Sequence, residues 1–337
     1  MLETLKNLHL IGYLCILIKF EIQRTILLTM EIYDIGIAYV WEYDDDFIDL
    51  IESSIHMAGL SSFRITAWNI NEITEKVKNR KLDFNFYLDR ASDVNDNFIL
   101  LGKILGRRKT EIFNPYKNVR HAIDKASMHL EFITAGLEVP YSIIIPPHSQ
   151  FGNIFISIDE LSKLGRPFII KPCNNTGGGL GVVTGAESIK EVLEERLTNS
   201  NDKYILQQKI YPSIIGGKRA WFRSFWAFGK PIPVWWNDLT HVYDELSPDE
   251  IKNFRLNRLL LITKKIALLT GLDFFSTEIV ITENKKFIVI DYVNDQCDMR
   301  IKSKHADGVP DGVVQRIIDI MVKTILQYKK LNQIRKQ

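Results

Sequence analysis

The sequence predicts an α/β chain that opens with a small parallel sheet and continues into antiparallel sheet and helix. From Met30 to about residue 115, apolar runs alternate with helical segments, the order expected of a parallel sheet with helices on its faces. Further on, the runs 219–236 and 274–292 are each broken once by turn residues, as hairpins are. Ser-x-x-Glu signatures at Ser188 and Ser247 open helices around those hairpins.

The first strand is IGIAYVW (35–41). Asp44-Asp45-Asp46 can cap a helix over FIDLIESSIHMA (47–58), and Gly59 stands just past its end. FRITAW (63–68) reads as a strand, residues 71–81 as a helix, FNFYL (84–88) as a strand and residues 97–108 as a helix. Arg90 follows the third strand, where open α/β sheets place ligands; a solvated loop arginine is the alternative. A helix over 121–135 ends at Gly136. The segments YSIIIPP (141–147) and ISIDELSKLG (156–165) then read as strand and helix. Ser188 and Glu191 box the start of another helix, and YILQQKIY (204–211) is a strand. The 219–236 hairpin turns at Gly229-Lys230, and a single long helix runs from Ser247-Pro248 to Gly271. A final helix covers 313–328, and the basic tail 331–337 is a solvated end.

With 337 residues, two or three lobes are expected. The net charge of +2 gives no reason to expect nucleic acid or an anionic membrane. Cys15, Cys173 and Cys297 are too scattered for zinc and fit a reducing cytoplasm. The apolar stretch 8–18 is about half a membrane span, so residues 1–29 read as an apolar extension or as upstream sequence outside the fold. The division expected is 30–115, 116–203 and 204–330, each a folded lobe.

The stretch IIKPCNNTGGGLGVV (169–183) ends a strand in Lys171-Pro172 and runs into Thr176, Gly177, Gly178, Gly179 and Gly181. Glycines bring the backbone close to a ligand, and successive N–H groups form an anion nest. A strand-end lysine adds a positive charge, so the stretch suits a polyphosphate. No Gly-Lys-Ser/Thr follows, which excludes a Walker loop, and a ligand-free hairpin tip stays open. Cys173 reads as a small filler beside it.

In the 274–292 hairpin, a turn centred on Asn284-Lys285 pairs Glu278 with Asp291, Ile279 with Ile290 and Ile281 with Ile288. Opposed carboxylates repel unless a divalent cation sits between them, and hard oxygen ligands suit Mg²⁺. Asn294 or Asp295 completes the set; a merely tolerated pair on a solvated face is the alternative.

With these pieces in order, residues 115–325 resemble the ATP-grasp superfamily, and the βαβαβ lobe before them resembles its usual N-terminal domain. The resemblance rests on 124–140, on the glycine-rich stretch, on ILQQKIY (205–211) and on STEIVI…FIVIDYVND (276–295). It implies ATP clamped between two antiparallel sheets. By the same resemblance Lys125 and Lys171 hold phosphates, Gln207, Gln208 and Ile210 face adenine, and Glu278, Asp291 and Asn294 carry Mg²⁺, with Mn²⁺ as a substitute. Arg223 stands where the family often has an arginine at the γ-phosphate or the substrate carboxylate, with Arg219 a second candidate; a surface ion pair is the alternative for either. Two departures are visible: Asp291 and Asn294 are separated by two residues where the family has one, and Gln208 stands where many members have Glu.

The implied chemistry is ligation of a small-molecule or peptide carboxylate to an amine through an acyl phosphate, with Lys171 and Arg223 at the reacting group, in a cytoplasmic enzyme, and the homodimers common among similar proteins make a homodimer one expected assembly. A kinase acting on a polyol and a non-catalytic nucleotide-binding module are the alternatives. Trp235, Trp236, Asp238 and His241, together with Arg300 and Lys302, are candidates for the acceptor site or for loop packing.

Overall fold

The computed structural model describes residues 30–174 and 181–334, the side chains of 332–334 excepted. The extension 1–29, Thr176, Gly177, Gly178, Gly179 and the last three residues of the tail lie outside the described residues. The chain divides into two compact units. One holds the described residues up to Glu42 together with Ile55–Phe113; the other holds Tyr43–Ser54 and everything from Asn114 onward.

The first unit is built on strands β1 (Glu31–Tyr39), β2 (Ser62–Ile65), β3 (Leu82–Arg90) and β4 (Glu111–Phe113), with the helix α1 (Asp45–Met57) between β1 and β2 in the chain. Among the described residues they form one four-stranded parallel sheet in the order β2-β1-β3-β4. Helices α2 (Ile70–Lys78) and α3 (Asp96–Leu105) contribute Ile70, Ile73, Val77, Phe98, Leu101 and Leu105 to its core. Gly36 has a packing reason: a Cβ there would lie 3.0 Å from the Phe84 ring. Arg90 is the last residue of β3 and is buried, so the solvated reading of it is wrong.

The second unit contains two antiparallel sheets. The first joins β5 (Ser142–Ile145), β6 (Phe168–Pro172), β7 (Val183–Ala186) and β8 (Tyr204–Gln208) in the order β5-β8-β6-β7. The second joins β11 (Trp221–Ala227), β12 (Lys230–Trp236), β13 (Tyr243–Asp244), β14 (Phe274–Ile281) and β15 (Phe287–Asn294) in the order β13-β12-β11-β14-β15. A two-stranded ribbon of β9 (Ile214–Ile215) and β10 (Lys218–Arg219) precedes it.

The helices of this unit start where their caps say. Short α4 (Tyr116–Ala122) is followed by α5 (Lys125–Thr134), so the single helix expected over 121–135 is two. Asp124 makes the break. Its carboxylate accepts from the N–H groups of Ala126 and Ser127, which places Lys125 at the first position of α5. Capping boxes open α6 (Ile158–Leu164), α7 (Ile189–Thr198) and α8 (Pro248–Asn253) at Ser157/Glu160, Ser188/Glu191 and Ser247/Glu250.

The long helix expected to run to Gly271 is also broken. Arg255 takes φ 58°, and the Leu256 N–H reaches back to the Ile251 carbonyl, a Schellman ending. The chain then restarts as α9 (Asn257–Thr270), which ends at Gly271 with φ 63°. Its buried face meets Phe222, Phe275, Ile279 and Ile281 in the main core. The final helix is α10 (Asp311–Ile334). No helix among the described residues is long and apolar enough to cross a membrane.

Both hairpins form with a corrected geometry. In β11–β12, Ala227 pairs with Lys230, so the turn is Phe228-Gly229, both at positive φ, and not Gly229-Lys230. In β14–β15 the loop spans Thr282 to Lys286, with Lys285 at φ 58°. Beyond it Ile281 pairs with Phe287 and Ile279 with Val289, one step off the expected Ile288 and Ile290.

Candidate functional site

The register error stops at Glu278. Val289 pairs with Ile279 and Asp291 with Glu278, so β15 takes two steps where β14 takes one, and Ile290 is the extra residue of a bulge. A second irregularity follows: Asn294 pairs with Ser276, so β15 again spends one residue more than β14. The first bulge restores the Glu278–Asp291 opposition that the loop alone would have lost. The second returns Asn294 to the side of the strand that Asp291 occupies, which answers the two-residue spacing noted in the sequence.

The same row extends one strand further. Arg223 on β11 pairs with Glu278 on β14. Arg223, Glu278 and Asp291 thus stand side by side across three adjacent strands, although the first two are 55 residues apart. The Arg223 guanidinium donates through Nη2 to Glu278 Oε1 in a short ion pair, with side chains 13% and 10% exposed. It also lies 5.1 Å over the Trp236 ring. The second oxygen, Glu278 Oε2, accepts from the Trp221 indole N–H at 3.1 Å.

Lys171 approaches from the other antiparallel sheet. It is the penultimate residue of β6, is buried, and its Nζ donates to the Ile290 carbonyl at 3.4 Å. Ile290 is the bulged residue, so its carbonyl is outside the regular ladder. Burial pulls the Lys171 pKa down, while Asp291 and Glu278 push it up and Lys125 pulls it further down; the net shift is downward. For Asp291, burial favours the neutral acid, but Lys125, Lys171 and Arg223 outweigh it and hold the carboxyl below its ordinary range. Arg223 loses by burial and gains from Tyr243, Glu278 and Asp291, which keep it firmly charged. Burial pushes the Tyr243 phenol up to about 12. Three cations, Lys125, Lys171 and Arg223, therefore act on two carboxylates, and the surplus positive charge suits an anion.

The donor set also fits a hard divalent cation: two opposed carboxylates and, on the same side of the hairpin, the Asn294 amide and the Ser276 hydroxyl. Ser276 Oγ is buried and has no hydrogen-bond partner among the described residues. No group of three or more His, Cys, Asp or Glu side chains among the described residues is placed to hold a metal.

The other predicted residues fall as follows. Gly181 has φ +70°, and a Cβ there would sit 3.1 Å from Pro172 Cγ, so glycine is required where the chain returns to β7. On the outgoing side, Asp202 accepts from both the backbone N–H and the side-chain amide of Asn174, which pins the end of β6. Cys173 is buried in the main core, and burial pushes its thiol up to about 12, as a filler requires. Gln207 is 1% exposed and donates to the Tyr292 hydroxyl at 3.3 Å, while its carbonyl Oε1 lacks a partner among the described residues. Tyr292 also meets His129 Nδ1 at 2.5 Å. Gln208 is half-buried with its N–H on the Tyr141 carbonyl, and Ile210 packs on Val280, Ile288 and Ile290. Asp295 is buried, just past the end of β15.

Several acceptor-site candidates are engaged elsewhere. Arg219 lies on β10, off the Arg223 strand, and forms a bidentate pair with Asp238 at 2.6 and 2.7 Å. Trp235 is core, with its N–H on Glu250. Arg300 binds Asp298 and Asp307, and Lys302 binds the Tyr243 carbonyl and Asp244. Trp236 stays beside Arg223 and stacks on His241 at 5.4 Å and 2°. Trp221 was missed in the sequence, although it stands two residues before Arg223 and so shares its strand face.

No family model and no curated protein matches the sequence. Solved structures do match the fold. A RimK domain protein ATP-grasp from Sphaerobacter thermophilus is 15% identical, with a TM-score of 0.59 over 86% of this chain and 99% of that one. The D-alanine–D-alanine ligase of Bacillus anthracis complexed with ATP is 17% identical, with a TM-score of 0.59 over 89% and 99%. The ATP-grasp ligase PsnB, complexed with minimal precursor, Mg and ADP, is 14% identical, with a TM-score of 0.57 over 86% and 98%. A parallel-sheet unit, a unit with two antiparallel sheets and nearly complete overlap with each of these proteins lead to one conclusion: this chain has the ATP-grasp fold.

Proposed function

We propose that the protein is an ATP- and Mg²⁺-dependent ligase that joins a carboxylate to an amine, on small-molecule or peptide substrates, through an acyl phosphate. The observation that carries this reading is the Arg223–Glu278–Asp291 row with Lys171 donating into its bulge. It combines surplus positive charge with opposed carboxylates in one buried place. Two of the similar structures are complexes, one with ATP and one with Mg and ADP, which agrees with that chemistry.

In this reading Lys125 and Lys171 hold the phosphates, and Gln207, Gln208 and Ile210 form the adenine side. Glu278, Asp291 and Asn294 hold Mg²⁺, for which Mn²⁺ substitutes. The ion, when bound, neutralises phosphate charge. Arg223 supplies a fixed guanidinium that balances charge on the transferring phosphoryl group. The amine displaces phosphate from the acyl phosphate, and no protein nucleophile takes part.

The test is incubation with Mg-ATP and pooled carboxylates and amines, read by mass spectrometry with and without hydroxylamine. A ligase forms ADP, free phosphate and an amide, and hydroxylamine converts the acyl phosphate to a hydroxamate. Phosphate retained on a product, with no hydroxamate, would identify a kinase instead.

A further inference from the structure

Glu278 is held by two donors of different kind. Oε1 carries the Arg223 guanidinium and Oε2 the Trp221 indole N–H. A cation arriving at Glu278 competes with Arg223 charge for charge. It does not compete in that way with a neutral N–H, which leaves lone pairs on its acceptor and keeps the carboxylate plane in place. Arg223 is itself incompletely satisfied: its Nε is buried with no partner among the described residues.

Trp221 is well fixed for such a task. It pairs with Val280 on β14, packs on the cluster of Val280, Ile288 and Ile290, and meets Trp236 at 6.0 Å and 53°. Trp236 in turn lies under the Arg223 guanidinium. One tryptophan thus holds the acid and the other the base.

We propose that Trp221 is a positioning residue for cation binding: its indole N–H holds Glu278 Oε2 so that Glu278 exchanges Arg223 for a divalent cation without losing its orientation. This rests on the Mg²⁺–nucleotide reading above. The orienting partners of metal ligands commonly contribute about 10–100-fold in metal affinity.

The experiment measures Mn²⁺ binding by electron paramagnetic resonance, with a non-hydrolysable ATP analogue, on the full chain and on Trp221→Phe and Glu278→Gln. Phe keeps the ring and the packing and removes only the donor. Trp221→Phe should weaken Mn²⁺ about 10-fold or more while its thermal midpoint stays near that of the parent. If Glu278→Gln weakens Mn²⁺ and a folded Trp221→Phe does not, the positioning role is wrong and the metal reading stands. If the parent chain itself binds no Mn²⁺, the metal reading falls first. Should Trp221→Phe not fold, ¹⁵N-labelled parent protein decides. The Trp221 indole N–H should stay protected from solvent exchange through a Mg²⁺–analogue titration, and free exchange of that proton on metal binding would overturn the role.

Discussion

Glu278 stands opposite Asp291 because β15 carries an extra residue, Ile290, beside Asp291. The bulge does two jobs: it aligns the acids, and it turns out a carbonyl that Lys171 uses. An insertion beside Ile290 is therefore expected to push Asp291 out of line with Glu278, whereas deletion of Ile290 leaves a regular ladder in which the acids still face and only the carbonyl that Lys171 uses is lost. Inserting one alanine after Ile290 should abolish Mn²⁺ binding by electron paramagnetic resonance while the far-ultraviolet circular dichroism keeps its mixed α/β form, and deleting Ile290 should leave Mn²⁺ binding in place.

The Arg223–Glu278 pair is buried, so removing one partner should cost more than the pair itself contributes. Glu278→Ala is expected to destabilise by about 3–5 kcal/mol in urea denaturation, because it strands a buried guanidinium. The double variant Arg223→Met with Glu278→Leu should recover most of that loss. A double variant no more stable than Glu278→Ala would show that the cost lies in packing and not in charge.

Lys171 contributes one of the three cations that outnumber the two acids. Lys171→Met should lower affinity for an ATP analogue by about 10–100-fold in isothermal titration, the range of one hydrogen bond to a charged group. Unchanged affinity would place the phosphates elsewhere.

Asp124 gives a pH dependence with a definite sign. Its pKa is lowered: burial opposes ionisation, but the Lys203 ammonium at 2.6 Å and the Ser127 and Ala126 N–H groups prevail. A depressed folded pKa adds stability that is present above the unfolded value of about 3.9 and is lost as pH falls through the folded value. Asp124→Asn keeps the helix cap and loses the ion pair. It should be less stable than the parent at neutral pH in urea denaturation, and the gap should close in strong acid. A gap that persists unchanged below pH about 2 would contradict this assignment.

Gly36 packs directly against Phe84 in the parallel sheet. Gly36→Ala should cost about 1–3 kcal/mol by overpacking, measured by urea denaturation. Combining it with Phe84→Leu should cost less than the two changes added together.

The elements visible in the sequence were those that local chemistry decides. Ser188/Glu191 and Ser247/Glu250 form capping boxes because the hydrogen bonds lie within four residues. The strand–helix alternation before Phe113 follows from side-chain periodicity, and Gly271 marks a helix end because its φ of 63° suits a residue without Cβ. The facing of Glu278 and Asp291 was expected from the hairpin that links them, but through a turn register the structure does not keep; the bulge at Ile290 is what brings them opposite. What the chain alone did not reveal was whatever depends on pairing between distant segments. Arg223 meets Glu278 through the register of β11 on β14, which packing sets and no turn encodes. Arg219, four residues earlier, goes to Asp238 instead, because its strand belongs to a separate ribbon. The bulges at Asp291 belong to the same class. An extra residue is tolerated only where tertiary contacts compensate the broken ladder, so its place is decided in three dimensions, by Lys171 and the neighbouring sheet, and not by residues 287–294 themselves.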